Sequence, residues 1–169
     1  VSSVMLMQEL PYFGFRPIAL VHDAGPLTKY LSSKGVEFLQ TGLPYLDPKK
    51  SGIKALVHSV SIAPQIATFV RRNNIALTHV NDGRMIGSWT FSTLLARRPV
   101  VVHARQPWSK SRLSYACFRV ASGRIAISSY VHNSMPDKIG RKTTLIANPF
   151  QAMVIDQSRA QAFVSGSAE

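Results

Sequence analysis

"RIAISSYVHNSMPDKIGRKTTLIANPF", residues Arg124–Phe150, decides how the chain is read. It runs from a short apolar segment, Arg124 to Ser128, through two serines, a short polar helix and a basic turn, to a second apolar segment, Thr143 to Ile146. The second segment closes on Asn148-Pro149-Phe150. Both segments are continuous apolar runs, the pattern of strands buried on both faces; an alternating pattern would mark a strand with one wet side. Proline lacks a backbone donor and fixes its own φ, so Pro149 suits a strand that leaves the sheet for a linker.

The same alternation extends back along the chain. Val1 to Leu10 carries apolar residues at helical spacing, and Pro11 is expected to end that helix. Pro17 to His22 reads as a strand, Leu27 to Ser33 as a short helix stopped by Gly35, and Val36 to Gln40 as a strand. Thr41 to Ser51, with Gly42, Pro44 and Pro48, is a loop. Gly52 to Arg72 keeps helical spacing, with Pro64 expected to kink or split it. Ile75 to Val80 is a strand, Arg84 to Ala96 a helix, Pro99 to His103 a strand and Ser109 to Ala121 a helix. This order implies an α/β doubly wound fold: a parallel sheet with helices on both faces. In such sheets ligands bind beyond the carboxyl ends of the strands. The exits to inspect are His22-Asp23, Asn81-Asp82-Gly83-Arg84, His103 to Trp108, Ser128-Ser129 and Asn148-Pro149-Phe150.

The composition narrows the partners. With 169 residues, one domain is expected, and 46% hydrophobic against 17% charged residues fits a folded chain. The most apolar long segment, Ala55 to Val70, is broken by His58 and Pro64, so no membrane span is expected. Val1 to Leu10 has no basic start and carries Glu9, unlike a signal peptide. A single cysteine, Cys117, allows no disulfide within the chain and suits a reducing cytosol. Twenty Lys and Arg against eight Asp and Glu give a net charge of +12. Between Arg97 and Lys142 there are ten basic residues and one acid, Asp137. Such a surface attracts nucleic acid, anionic phospholipid or phosphorylated small molecules, or is simply a solvated face.

In order along the chain, "GPLTKYLSSKGVEF" after a strand, "ALTHVND" before a helix, "RPVVVHARQPW", "RIAISSYVHNSM" and "TTLIANPF" resemble the amino-terminal domain of GT-B glycosyltransferases of family 4. The resemblance implies a Rossmann-like half of a two-domain, retaining enzyme that moves a sugar from a nucleotide-sugar donor. In that family a serine ends the strand matching Arg124 to Ser128, and the strand matching Thr143 to Ile146 ends where the chain crosses to the second domain. Residues 1–150 are accordingly expected to form the acceptor-side domain, and 151–169 a linker or the start of a donor-binding domain. Family members begin with a central strand and a glycine-rich loop, and nothing in this sequence matches either; the expectation is a domain that lacks its first strand. No cofactor is expected on this domain alone. The implied partners are a glycan, lipid-linked or phosphorylated acceptor of the cell envelope and the donor-binding domain. The implied location is cytoplasmic, with peripheral contact at an anionic membrane.

Arg105 is the leading site candidate. The resemblance implies a position close to the reacting sugar, where many members carry histidine; an arginine there cannot act as a base but can hold a phosphate or carboxylate. His103, two residues earlier on the same strand face, reads either as a substrate contact or as a satisfied core histidine. Trp108 with Lys110 and Arg112 forms an aromatic and basic cluster fit for a sugar ring or a membrane interface, or a staple for the next helix. Asp82, Gly83 and Arg84 open a helix where free amides favour anions, or Asp82 is an ordinary cap. Ser128 and Ser129 touch substrate or cap a helix, and Asn148 reads as substrate contact or hinge. No nucleophile, hydrolase triad or zinc ligand set is recognisable. Nucleic acid is disfavoured because the basic residues are not interleaved with stacking aromatics, and a signalling receiver because its acidic cluster is missing.

Overall fold

A computed structural model describes residues 2–46, 52–81, 83–109 and 111–148. In chain order the elements are α1 (Ser2–Glu9), a 3₁₀ turn (Leu10–Phe13), β1 (Ala19–Val21), α2 (Pro26–Ser33), β2 (Phe38–Gln40), α3 (Gly52–Arg72) and β3 (Thr78–Val80). They continue with α4 (Ile86–Leu95), β4 (Val100–Ala104), α5 (Arg112–Val120), β5 (Gly123–Ala126), α6 (Ser129–Asn133), α7 (Asp137–Gly140) and β6 (Thr144–Leu145). Every strand pairing is parallel: β1 with β2, and β3-β4-β5-β6 in that order. Among the described residues β1 and β3 share no ladder, so the parallel strands fall into two sheets.

Alternation along the strands shows that helices cover both faces. On β1, Leu20 packs against the large cluster built by α3, α4 and α5, whereas Ala19 and Val21 belong to a smaller cluster with Val4 of α1 and Leu31 of α2. Successive strand residues point to opposite faces, so the two helix layers lie on opposite sides of β1. On β4 the large cluster takes Val100, Val102 and Ala104, all buried, while Val101 and His103 face the other way and are half-buried. The expected doubly wound architecture is therefore present.

Helix ends show how short loops set this order. α2 ends with Gly35 at φ +65°, its N–H bonded to Ser32 O and the N–H of Val36 to Leu31 O. This left-handed closing turn satisfies two terminal carbonyls, and Leu31 and Val36 are both buried beside it. α3 closes the same way on Asn74 at φ +51°, and α4 on Arg97 at φ +59°.

Two expectations change, at Pro64 and at Pro11. Pro64 does not split α3, which runs unbroken for 21 residues. Pro64 and Val60, whose carbonyl loses its helical donor, both lie on the exposed side, where water can bond that carbonyl, while Ala55, Ser59, Ile62, Ala63, Ile66, Ala67 and Val70 anchor the opposite side in the core. By length and composition α3 is long and apolar enough to cross a membrane, a property that core helices share, and its Ile62, Ile66, Ala67 and Val70 side is built into the large core cluster. Pro11 ends α1 but sits in the first turn of the 3₁₀ segment that extends it, a position where no donor is required.

Candidate functional site

Arg105 follows the last residue of β4, on the face that carries His103. Its guanidinium reaches across to the start of α1: Nη2 donates to Ser2 Oγ at 3.0 Å and Nη1 to Ser3 Oγ at 3.3 Å. Nη1 also donates to Asn81 Oδ1 at 3.3 Å, just past β3, and the Asn81 amide donates to Ser3 Oγ. Every one of these acceptors is neutral. Among the described residues the one ion pair is Arg16 with Glu37 at 2.7 Å, and no described carboxylate pairs with Arg105. A half-buried guanidinium at a strand exit, held by neutral oxygens among the described residues, is receptive to an anion, and its planar fork fits phosphate or carboxylate oxygens.

Beneath Arg105, His103 stacks on His79 of β3, with ring centroids 5.4 Å apart and planes 16° from parallel. The register explains the contact: His79 pairs with Val101, and His103 stands two residues further along the same face of β4. Both ring nitrogens of His103 and Nε2 of His79 are buried without a hydrogen-bond partner among the described residues. His103 is thus half-buried with no hydrogen bond to another described residue. Burial pushes the His103 imidazole down to about 4, helped by the like charges of His79 and Arg105. His79 is lowered by burial first and by Arg105 second. Both rings are thus neutral near pH 7, each able to donate one hydrogen bond and accept one, and His103 is poorly suited to hold a proton as imidazolium.

The other candidates are placed as follows. Ser128 caps α6, its Oγ accepting from the Val131 N–H at 3.2 Å, and Ser129 opens that helix on the exposed side. Trp108 packs its ring edge-on against Phe118 (5.3 Å) and Tyr115 (6.5 Å), and its backbone N–H donates to Ser134 Oγ at 2.9 Å. Gly83 and Arg84 are exposed in a turn; α4 starts only at Ile86, with Met85 at the capping position, so the expected helix opening at Asp82 is displaced along the chain. Asn148 is half-buried just after β6. Asp82 and Lys110, with Pro149, Phe150 and residues 151–169, lie outside the described residues. His22 stacks at a tilt on Tyr45, centroids 4.8 Å apart. Cys117 is buried and its thiol is pushed up to about 12 by that burial, so it is no thiolate nucleophile.

Sequence reasoning found Arg105 and His103 but missed His79, Asn81 as a partner, Ser2 and Ser3. Period-two alternation on β3 and β4 would have placed His79 beside His103 had the pairing register been known. The serines gave no signal, because their contact spans more than a hundred residues of chain.

No protein-family model and no curated protein sequence matches the chain. Solved structures do. A glycosyltransferase from Rickettsia africae is similar at a TM-score of 0.67 with 12% identity, over 99% of this chain and 45% of that one. Anabaena HepE, in complex with UDP and glucose, is similar at 0.62 with 18% identity, over 97% and 47%. Acinetobacter baumannii MurG is similar at 0.62 with 13% identity, over 89% and 42%. The chain spans less than half the length of each of these proteins. The shared feature is the fold: parallel strands and helices that match halves of GT-B glycosyltransferases.

Proposed function

We propose that this chain is the acceptor-side half of a nucleotide-sugar-dependent glycosyltransferase of the family 4 kind, retaining the configuration of the transferred sugar. The observation that carries the reading is Arg105: a half-buried cation held by the neutral oxygens of Ser2, Ser3 and Asn81, with no carboxylate partner among the described residues, at a strand exit of a fold that halves of glycosyltransferases share. Its role is to bind an anionic group of acceptor or donor and to orient it, with His103 and His79 below offering neutral hydrogen-bonding groups. Positioning and charge stabilisation are then what this half contributes. The donor is a nucleotide-sugar held chiefly by a second domain, and the acceptor a lipid-linked or phosphorylated glycan of the cell envelope. The net charge of +12 supports work at an anionic cytoplasmic leaflet, and Ile53, Val57 and Val60 give α3 an exposed apolar side for peripheral contact.

The same reading assigns the break between the two sheets. We propose that a further parallel strand fits between β1 and β3, completing one sheet of seven strands. α1 then follows from that strand, with Ser2 and Ser3 at its start already held by Arg105 at the carboxyl end of β4.

The test of the site is the Arg105→Gln variant of the complete polypeptide, assayed for glycosyl transfer. A fall in kcat/KM of about a hundredfold or more is expected, the scale of losing one preorganised charge contact to the reacting groups. Unchanged transfer would remove Arg105 from the machinery.

A further inference from the structure

At the opposite end of the strands from Arg105, a second basic feature is concave. Arg119 from the end of α5, Arg124 at the start of β5, Lys138 of α7, and Arg141 and Lys142 of the turn before β6 surround a cavity of about 390 Å³, together with Tyr115. That volume lies at the lower end of the range for small-ligand sites. Arg124 is fixed in place: its Nε donates to Phe118 O and its Nη2 to Arg119 O at 2.7 Å, closing the last carbonyls of α5. Its Nη1 has no partner among the described residues.

Five cations share this space, and among the described residues none of them makes an ion pair. The nearby acid, Asp137, makes no ion pair among the described residues. Cations so grouped repel one another, and an anion among them is stabilised by all five. A cavity rather than a track limits the anion to a compact one, and a phosphate, with up to two negative charges against a carboxylate's one, gains more from five grouped cations while its oxygens suit arginine forks. We propose that this cavity is a binding site for a phosphomonoester or diphosphate group, presented either by a free phosphorylated molecule or by a lipid headgroup.

The experiment uses the complete polypeptide, with inorganic phosphate and pyrophosphate as soluble probes followed by calorimetry. Vesicles of phosphatidylcholine, with and without phosphatidic acid, are the membrane probe, followed by co-sedimentation. Two variants each remove two exposed positive charges: R119A/R141A at the cavity and K29A/K34A on α2 and its end, beside the other sheet. Saturable binding should weaken by about tenfold or more in R119A/R141A, as expected for two lost charge-assisted contacts, and stay near the wild-type value in K29A/K34A. Cavity-dependent binding of the soluble probes identifies a free phosphate source; cavity-dependent binding of phosphatidic acid vesicles alone identifies a headgroup. Equal weakening in both variants would reduce the effect to net charge and overturn the proposal. Absence of saturable binding to every probe, or a preference for long DNA over phosphate at the cavity, would overturn it too.

Discussion

Arg105 joins three parts of the chain with one guanidinium, and its charge is felt by two imidazoles. Both rings are held below their ordinary titration range, by burial first, and in each Arg105 lowers the value further. Arg105→Gln should therefore move both midpoints upward, read from the pH dependence of the ring proton resonances by NMR; unmoved midpoints would separate the guanidinium from the pair. The sign for stability follows from linkage. A histidine whose folded pKa lies below its unfolded value near 6.5 binds more protons when unfolded, so the stability from keeping His103 neutral is complete above that value. It is lost as pH falls from about 6.5 toward about 4. Urea unfolding should show a loss of about 1–2 kcal/mol between pH 7 and pH 5, discounted from the full shift because the ring is half-buried. The loss should vanish when His79 and His103 are both glutamine. Strand periodicity made the shared face of His103 and Arg105 legible from sequence; the pairing of β3 with β4, which adds His79, is a long-range fact that no local pattern carries.

Elements were more legible than their ends. The strand–helix alternation was readable because buried parallel strands are continuous apolar runs and helices repeat at a different period. Boundaries shifted where tertiary contacts outweighed local preference: α4 starts at Ile86 rather than Arg84, and α5 follows a Ser111 cap whose Oγ accepts from Ser114 N–H. Pro64 misled because a proline reads as a break, while the buried side of α3 holds the helix together. At the end of α4, Arg97 occupies a left-handed position at φ +59°, with its N–H bonded to Leu94 O at 2.8 Å and that of Arg98 to Thr93 O at 3.1 Å. A side chain there carries a steric cost that glycine avoids. Arg97→Gly should raise stability by about 0.5–1 kcal/mol after the added freedom of the unfolded chain is subtracted. Thermal or urea unfolding checks this, and a lower stability would show that the Arg97 side chain does more than cap.

Across the whole molecule, two sheets with all strands parallel, helices on both faces of β1 and a break between β1 and β3 describe most of a doubly wound domain. The exits of β3 and β4 are brought together at Arg105, while the cavity lined by Arg119 and Arg124 occupies the other strand end. Charge alone could not separate these two features, since both draw on the same excess of cations. On the function proposed above, this chain is one half of a glycosyltransferase whose donor is held by another domain. The most direct test of that reading is nucleotide diphosphate release from a panel of nucleotide-sugars, in the presence of a membrane extract as acceptor source, by the complete polypeptide and by the 169-residue chain side by side. Release by the complete polypeptide with one donor, and none by the shorter chain, is predicted. Release by neither, or by the shorter chain alone, would contradict it.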